Sequence, residues 1–421
     1  MRRRLPPVLQ QRDYGLLWVA LFVMSVGAQM TAVAVGWQVY AIDHDPFDLG
    51  LIGLAEFLPL LLLALPAGHV ADRLPRRHVF AASLVIEIGV TAALLVVSLS
   101  GAGELWPFLA LAFVTGIAGA IGWPAGRALP PELVPAELLA SAMALQSIAG
   151  QAAVIGGPAL GGVLFAIRPE LVYGVAVGLF VVGLGCVAFL RGPRVVRGLD
   201  DAEPPPGLAS LLAGIRFLKR APVVFGAISL DLFAVLFGGA VALLPVFAVS
   251  VLHTGPAGLG VLRSAPAVGA LIAGILLARR PLGGKAGRTM LGAVALFGLS
   301  MVVFGLSRWF ALSLVALAVS GFADMFSMNI RSTSIALATP NELRGRVSAV
   351  EMVFISASNE LGAFESGLAA ALIGAVPAVV AGGMVTIGLA LLWARLFPPL
   401  ARIDRLEDVR PHTPLALPHE A

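Results

Sequence analysis

The sequence predicts an all-α membrane protein with twelve transmembrane helices in two pseudo-symmetric six-helix bundles. Three observations support this class: the composition, the number of long apolar stretches, and the placement of the basic residues. Of the 421 residues, 59% are hydrophobic and only 12% are charged. Soluble domains carry about 25% charged residues, so this composition excludes a soluble globular protein.

Twelve apolar stretches are long enough to cross the roughly 30 Å hydrocarbon core of a bilayer as helices. Glycine and proline are abundant, with 48 and 29 residues, as is typical of membrane helices that pack closely and bend. The expected spans are 14–40, 48–70, 79–99, 105–126, 138–166, 170–190, 221–250, 258–279, 288–306, 309–338, 345–373 and 376–397.

Basic residues fall on one side of these spans. If the N-terminus is cytoplasmic, all but three of the 28 Lys and Arg residues lie on or near the inner side, Arg331 among them. The three exceptions are Arg168, Arg263 and Arg308. The positive-inside rule therefore predicts that both termini are cytoplasmic. The scatter of basic residues at helix ends also argues against nucleic-acid binding.

Hydropathy falls between residues 191 and 220, which contain Pro204-Pro205-Pro206 followed by a short amphipathic stretch. This pattern predicts a cytoplasmic linker with a helix lying along the membrane surface. The predicted organisation is an N-terminal tail 1–13, a first bundle 14–190, the linker 191–220, a second bundle 221–397 and a C-terminal tail 398–421.

The two halves resemble each other. His44–Leu51 aligns with Thr254–Val261, and Pro135–Leu138 aligns with Pro340–Leu343 at nearly the same separation. Each match alone is also expected by chance in apolar sequence, but their shared order favours a duplication. Repeated bundles place a substrate site near the membrane midplane and favour a rocking motion.

The short loop between spans 2 and 3 reads Gly68-His69-Val70-Ala71-Asp72-Arg73-Leu74-Pro75-Arg76-Arg77. It resembles the loop joining helices 2 and 3 in the major facilitator superfamily of secondary transporters, with Val70 and Pro75 as departures. The resemblance implies a cytoplasmic gate in which Asp72 meets the start of span 11. The gating candidates are Gly68, Asp72, Arg73, Arg76, Arg77, Glu342 and Arg346. For the arginines alone, a positive-inside anchor is the alternative interpretation.

Span 5 contains Gly157-Pro158-Ala159-Leu160-Gly161-Gly162. The pattern predicts a kinked, closely packed helix. It also resembles the Gly-Pro-x-x-Gly-Gly signature of drug and proton antiporters in the superfamily, whose longer form has a glycine where this chain has Ala153. The candidate residues of this antiporter-type motif are Gly157, Pro158, Gly161 and Gly162, and the resemblance favours export.

Five carboxylates within spans are candidates for proton coupling, because a charge at the bilayer centre costs at least about 2.5 kcal/mol. They are Glu56, Asp231, Asp324, Glu351 and Glu365. A structural partner for any of them is the alternative. Glu87 lies in span 3, which the family places at the periphery, so a structural hydrogen bond is expected there.

Polar and aromatic residues in spans 1 and 4 are candidates for the substrate cavity: Gln29, Trp37, Gln38 and Arg127. Such a mixture suits an amphipathic organic molecule, although packing alone also explains it. Many proton antiporters carry an arginine deep in span 4. Arg127 is expected at the inner end of that span instead, which departs from their pattern.

No catalytic motif, phosphate-binding loop or metal-ligand cluster occurs in the sequence, so no enzyme, cofactor or metal site is predicted. Arg12–Trp18, Leu133–Leu138 and Phe364–Gly367 together resemble the branch of bacterial exporters that contains the enterobactin exporter. The resemblance implies a monomeric exporter of siderophores, drugs or related compounds in the bacterial inner membrane, working by alternating access in exchange for protons. An importer or facilitator of a nutrient or lysolipid on the same fold is the alternative.

Overall fold

Helices make up nearly all of the described chain. The computed structural model describes residues 6–101, 103–191, 216, 218, 221–280, 284–340 and 343–408, and only the backbone of residues 64–73, 344, 345, 349 and 408. Most of the predicted linker, including its amphipathic stretch, and the end of the C-terminal tail lie outside these residues. No strand occurs in the part of the chain that is described.

Apart from the seventh, the long helices begin and end within about three residues of the predicted spans. Several begin with proline at the first helical position, where the missing N–H has no intrahelical acceptor to lose. Their bounds are α1 Arg12–Asp43, α2 Pro46–Arg73, α3 Arg76–Ser100, α4 Trp106–Ala128, α5 Ala136–Ile167, α6 Pro169–Ala188, α7 Pro222–Gly238, α8 Pro256–Arg279, α9 Ala286–Leu306, α10 Phe310–Ala338, α11 Arg344–Ile373 and α12 Ala375–Leu396.

Among the described residues, eleven stretches are long and apolar enough to cross a membrane. They include every long helix except α11, which carries Glu351, Glu360 and Glu365 along its length. The chain is therefore a multi-pass membrane protein. The exact arrangement of twelve spans in two bundles stays a prediction, because α11 is not among these eleven candidate spans.

The predicted seventh span is not one continuous helix. Helix α7 ends at Gly238, Gly239 has an extended backbone, and Val241–Val251 follows as short helical pieces that end in a π-helical turn. Glycine raises the cost of continuing a helix, and two successive glycines at this point explain the break.

The chain divides into two compact units near this break. The first unit comprises Met1–Pro205 together with Val241–Ala267, and the second comprises Pro206–Ala240 and Val268–Ala421. The predicted bundles have a simple boundary at residues 191–220. In the structure, the stretch Val241–Ala267 packs with the N-terminal helices, so the units interleave along the chain.

Each unit has its own apolar core. In the first unit, Leu17, Phe80, Leu84 and Phe180 are buried together between α1, α3 and α6. In the second unit, Leu230, Met290 and Trp393 join α7, α9 and α12. The indole Nε1 of Trp393 donates to the carbonyl of Gly226 at 3.1 Å, so its polar atom is satisfied inside the apolar core.

Both ends of the described chain are held in place, the first by apolar packing and the second by hydrogen bonds. Val8, in the short helix Pro7–Gln10, is fully buried beside Tyr14, whose hydroxyl donates to the carbonyl of Ala142 at 2.6 Å. Near the other end, an Asp404 carboxylate oxygen accepts from the Lys285 N–H at 2.8 Å, and the Asp404 carbonyl accepts from the Ala286 N–H at 2.9 Å. These bonds cap the first turn of α9, where backbone donors lack intrahelical acceptors.

Candidate functional site

A buried cluster of three charged side chains lies in the second unit. Arg331 of α10 forms ion pairs with Asp231 of α7 and Glu351 of α11. Its Nε lies 3.8 Å from Oε1 of Glu351, and one terminal nitrogen contacts Oδ1 of Asp231 directly. The three side chains are only 6%, 12% and 18% exposed for Arg331, Asp231 and Glu351. The cluster therefore joins three helices through one cation and two carboxylates.

The sequence indicated the two carboxylates but not their common partner. Arg331 was counted only among the basic residues on or near the inner side, and the structure adds that it is buried, seven residues before the end of α10. One signal could have found it: Arg331 lies within an apolar stretch rather than at its edge. In the first half, Arg127 occupies the same register, twenty-one residues after the first residue of its helix, and is exposed.

Asp324 lies two turns before Arg331 on the same face of α10, because seven residues are nearly two helical turns. Its side chain is exposed on the surface of its unit and makes no hydrogen bond or ion pair among the described residues. Glu365 of α11 is half-buried, and its neighbour Ser366 donates to the carbonyl of Gly239 at 3.0 Å, at the break after α7. Asp324 and Glu365 thus lie outside the ion-paired cluster.

The remaining two intramembrane acids are in the first unit. Glu56 of α2 is half-buried, and the main chain at this residue lies against Gly116 of α4, where a Cβ would collide with the Glu56 backbone and Pro59. Glu87 of α3 is also half-buried. Both residues belong to the first unit, whereas the Arg331 cluster belongs to the second.

The Gly-Pro motif of α5 packs against α8 in the first unit. A Cβ on Gly162 would lie 2.5 Å from the Pro256 carbonyl oxygen and 3.0 Å from Cα of Gly260. The Ser264 hydroxyl donates to the carbonyl of Ile155 at 2.6 Å, and Nε2 of Gln151 donates to the carbonyl of Ala267 at 2.7 Å. Small residues let the two backbones approach closely enough for these bonds.

Other members of the motif face α1. A Cβ on Gly157 would lie 2.7 Å from Cβ of Gln29, and one on Gly161 would lie 2.9 Å from Cα of Met30. Pro158 is buried within α5. The motif therefore holds α5 between α1 and α8, and the close packing predicted for it is present.

The start of α3 is held by two arginines from the loop between spans 2 and 3. Arg76 pairs with Glu132 at 2.8 Å and also donates to the carbonyl of Ala128 at the end of α4. Arg77 donates to the carbonyl of Leu190, just beyond α6, at 2.5 Å. A cation at a helix C-terminus satisfies carbonyls that have no intrahelical donor. These two arginines thus join the start of α3 to the ends of α4 and α6 in one unit.

The rest of the predicted gate is described less fully. The side chains of Gly68, Asp72 and Arg73 and the whole of Glu342 lie outside the described residues. Arg346 is exposed near the start of α11. The contact between Asp72 and α11 accordingly stays a prediction.

The candidate cavity residues of α1 have different surroundings. Oε1 of Gln38 accepts from the Tyr173 hydroxyl at 2.6 Å, and its Nε2 donates to Oγ of Ser98 at 2.9 Å. Both ends of this amide are therefore engaged between α1, α3 and α6. The Trp37 ring packs against Phe165 with centroids 6.3 Å apart, and Gln29 lies against Gly157.

Comparisons with known proteins agree with this architecture. The model of the transmembrane secretion effector family matches residues 5–417. The chain is 28% identical over 391 residues to the enterobactin exporter EntS of Citrobacter koseri, covering 90% of this chain and 91% of the relative. It is 27% identical over 410 residues to the multidrug efflux pump Tap of Mycobacterium tuberculosis, covering 93% and 96%.

Solved structures show the same fold at low sequence identity. A bacterial homologue of the human lysosomal transporter Spinster, inward-facing and unoccupied, superposes with a TM-score of 0.72 at 16% identity, covering 93% of this chain and 97% of that one. A bacterial homologue of the iron transporter ferroportin, also inward-facing, gives 0.70 at 16% identity, with 93% and 99% covered. The chain belongs to the transmembrane secretion effector family of the major facilitator superfamily.

Proposed function

We propose that this protein exports a small amphipathic organic compound, such as a siderophore, a drug or a related metabolite, across the bacterial inner membrane in exchange for protons. Transport proceeds by alternating access between two repeated bundles. The protein works as a monomer, with both termini in the cytoplasm. No catalytic step and no cofactor enter this proposal.

The direction of transport is supported by relatives that match nearly the whole chain. The names of these relatives describe export of enterobactin and efflux of multiple drugs. The packed Gly-Pro motif of α5 agrees with this direction, because the signature that it resembles belongs to antiporters of the superfamily. The two kinds of relative differ in cargo, so the class of substrate is proposed rather than one compound.

The observation that carries proton exchange is the cluster of Asp231, Arg331 and Glu351. A buried charge is expensive and is retained in a membrane protein mainly where function requires it. Two carboxylates share one arginine in this cluster, so binding of one proton would remove its surplus negative charge. Asp231 and Glu351 are therefore the leading coupling residues, ahead of Asp324, Glu365 and Glu56.

The cytoplasmic gate in this proposal consists of Asp72 and its neighbouring arginines on one side and the start of α11 on the other. Arg76 and Arg77 fix the start of α3 to its own unit, and only Leu74 and Pro75 separate α3 from the end of α2, which contains Asp72. A movement of the unit would therefore carry Asp72 with it. The substrate contacts Gln29, Trp37 and Arg127. Gln38 holds the wall of the cavity through Tyr173 and Ser98.

Reconstituted vesicles test the proposal directly. Purified full-length protein is placed in vesicles with an acidic lumen that contain a fluorescent pH indicator. A triscatecholate siderophore, a macrolide, a tetracycline and ethidium are then added in turn. Export in exchange for protons predicts that at least one compound enters the lumen while the lumen becomes more alkaline, and that protein-free vesicles show neither change.

Three other outcomes would contradict parts of this proposal. Uptake that does not depend on the pH gradient would refute proton exchange. If deletion of the gene impairs growth on a nutrient and leaves tolerance to toxic compounds unchanged, the importer alternative would replace export. Absence of gradient-driven movement for all four compounds would count against the proposed substrate class.

A further inference from the structure

The buried cluster in the second unit has an unequal number of charges of each sign. Arg331 supplies one positive charge, and Asp231 and Glu351 supply two negative charges when both are ionised. Arginine keeps its proton under physiological conditions, so any change in the cluster's charge must occur on a carboxylate. A single added proton makes the cluster neutral, whereas a second one leaves an unpaired buried cation.

Among the described residues, no further side chain forms an ion pair with this cluster. Of the helices packed on α10, α7 contributes Asp231, α9 carries Arg288 in its first turn, and α8, whose Gly269 lies against α10, ends in the exposed Arg279. Helix α12, which packs on α7 and α11, carries the exposed Arg395 in its last turn. Neither Arg279 nor Arg395 forms an ion pair with a member of the cluster in the part of the chain that is described. The short helix Leu406–Asp408 also packs on α10 and contains the exposed Glu407. Within the described residues, neither Arg288 nor Glu407 forms an ion pair with a member of the cluster.

The contacts of Arg331 are also unequal. It touches Asp231 directly, whereas its closest approach to Glu351 is the 3.8 Å between Nε and Oε1. No hydrogen bond connects Glu351 to any side chain of the described residues apart from this ion pair. The carboxylate of Glu351 is therefore the less satisfied of the two, although it is largely buried.

We propose that Arg331 is the positioning residue of a one-proton site, in which Asp231 and Glu351 share a single exchangeable proton and Arg331 pairs with whichever carboxylate lacks it. The proton adds to a carboxylate oxygen and leaves from it, and no other bond is made or broken. Because the carboxylates are on α7 and α11, moving Arg331 from one to the other changes how these two helices are held to α10. This inference rests on the proposed proton exchange and fixes its stoichiometry at one proton for this cluster.

Infrared difference spectroscopy tests the sharing without a transported compound. Purified protein in phosphatidylethanolamine–phosphatidylglycerol vesicles is moved from mildly acidic to mildly alkaline buffer, and the C=O band of protonated carboxyl groups is recorded. Asp231→Asn and Glu351→Gln each leave Arg331 with one charged partner, so both variants have a neutral cluster and are expected to fold. Glu360→Gln, on the same helix as Glu351, is the matched control.

A shared proton predicts a non-additive result. Asp231→Asn and Glu351→Gln should each remove the same one-carboxyl band, the double variant should remove no more than either single variant, and Glu360→Gln should leave this band in place. Additive losses would show two independent protons and overturn the inference. If neither single variant changes the spectrum, the cluster stays ionised as a structural ion pair, which also overturns it. Arg331→Gln, where it folds, should add a second carboxyl to the band.

Transport in the vesicles with an acidic lumen separates the two proposals. With ethidium as the probe, Glu351→Gln should lose at least tenfold in pH-driven accumulation while retaining exchange of ethidium down its own gradient. A titrating shared band without transport of any compound would support this inference and contradict the proposed function. Proton-driven transport without the shared band would support the proposed function and contradict this inference.

Discussion

The contact between α5 and α8 allows a substitution whose cost can be worked out from the structure. Gly162 and Gly156 are both helical glycines of α5, but their surroundings differ. A Cβ on Gly162 would lie 2.5 Å from the Pro256 carbonyl oxygen and 3.1 Å from the Gly260 nitrogen, whereas one on Gly156 would have no atom within 4 Å. The obstructing atoms are all backbone, so no side chain can rotate away.

Replacing either glycine by alanine gains helix propensity of about 0.8–1 kcal/mol. At Gly162 this gain is opposed by overpacking, which typically costs 1–3 kcal/mol. Subtracting one variant from the other removes the propensity term, so Gly162→Ala should have a free energy of unfolding about 1–3 kcal/mol lower than that of Gly156→Ala. For a unit of this size, each kcal/mol corresponds to roughly 2–4 °C in the melting temperature.

Thermal unfolding of the purified variants in one detergent, followed by tryptophan fluorescence and size-exclusion chromatography, measures this difference. Gly260→Ala approaches the same contact from α8 and should also destabilise the protein. The double variant Gly162→Ala/Gly260→Ala should lose less free energy of unfolding than the sum of the losses of the two single variants, because the first substitution already separates the helices. Equal melting temperatures for Gly162→Ala and Gly156→Ala would show that the two backbones are not in contact, and would refute the packing described for the motif.

Three further predictions concern other contacts. Asp404→Ala should destabilise the protein by about 1 kcal/mol, because α9 loses its cap, and Asp404→Asn should retain most of that stability in the same thermal assay; no difference between them would contradict the capping role. Tyr173→Phe should cost about 1–3 kcal/mol by leaving the Gln38 carbonyl without its donor, and an unchanged melting temperature would contradict this bond. Asp72→Asn should impair transport of the vesicle probe without lowering the melting temperature. Full transport by this variant at equal expression would contradict the gating role of Asp72.

The helices could be predicted well from the sequence because their signal is local. A stretch of about twenty apolar residues has few alternatives to a membrane-spanning helix, and proline and glycine mark where the chain turns. Two features were missed because they depend on tertiary packing. Gly238-Gly239 was treated as part of a continuous span, although the structure breaks the helix there, and Val241–Ala267 packs with the first unit rather than with the residues on either side of it.

For the candidate site, too, the sequence indicates single residues but not the tertiary contacts between them. Each intramembrane carboxylate could be picked out from the sequence, because an acid within an apolar stretch is unusual. Which of them are in contact could not be inferred, since Asp231 and Glu351 are far apart in the chain and Arg331 had been considered only as a basic residue of the inner side. A salt bridge between remote helices leaves no local pattern.

The two arginines at matching positions show how similar halves can serve different purposes. Arg127 and Arg331 each lie twenty-one residues after the first residue of their helices, α4 and α10, yet Arg331 is buried beside two carboxylates and Arg127 is exposed. In the second half, α7 and α11 supply the carboxylates at the level of the arginine. If the halves arose by duplication, a cation was available in both. Proton binding is expected in the second unit, where Asp231 and Glu351 both pair with Arg331.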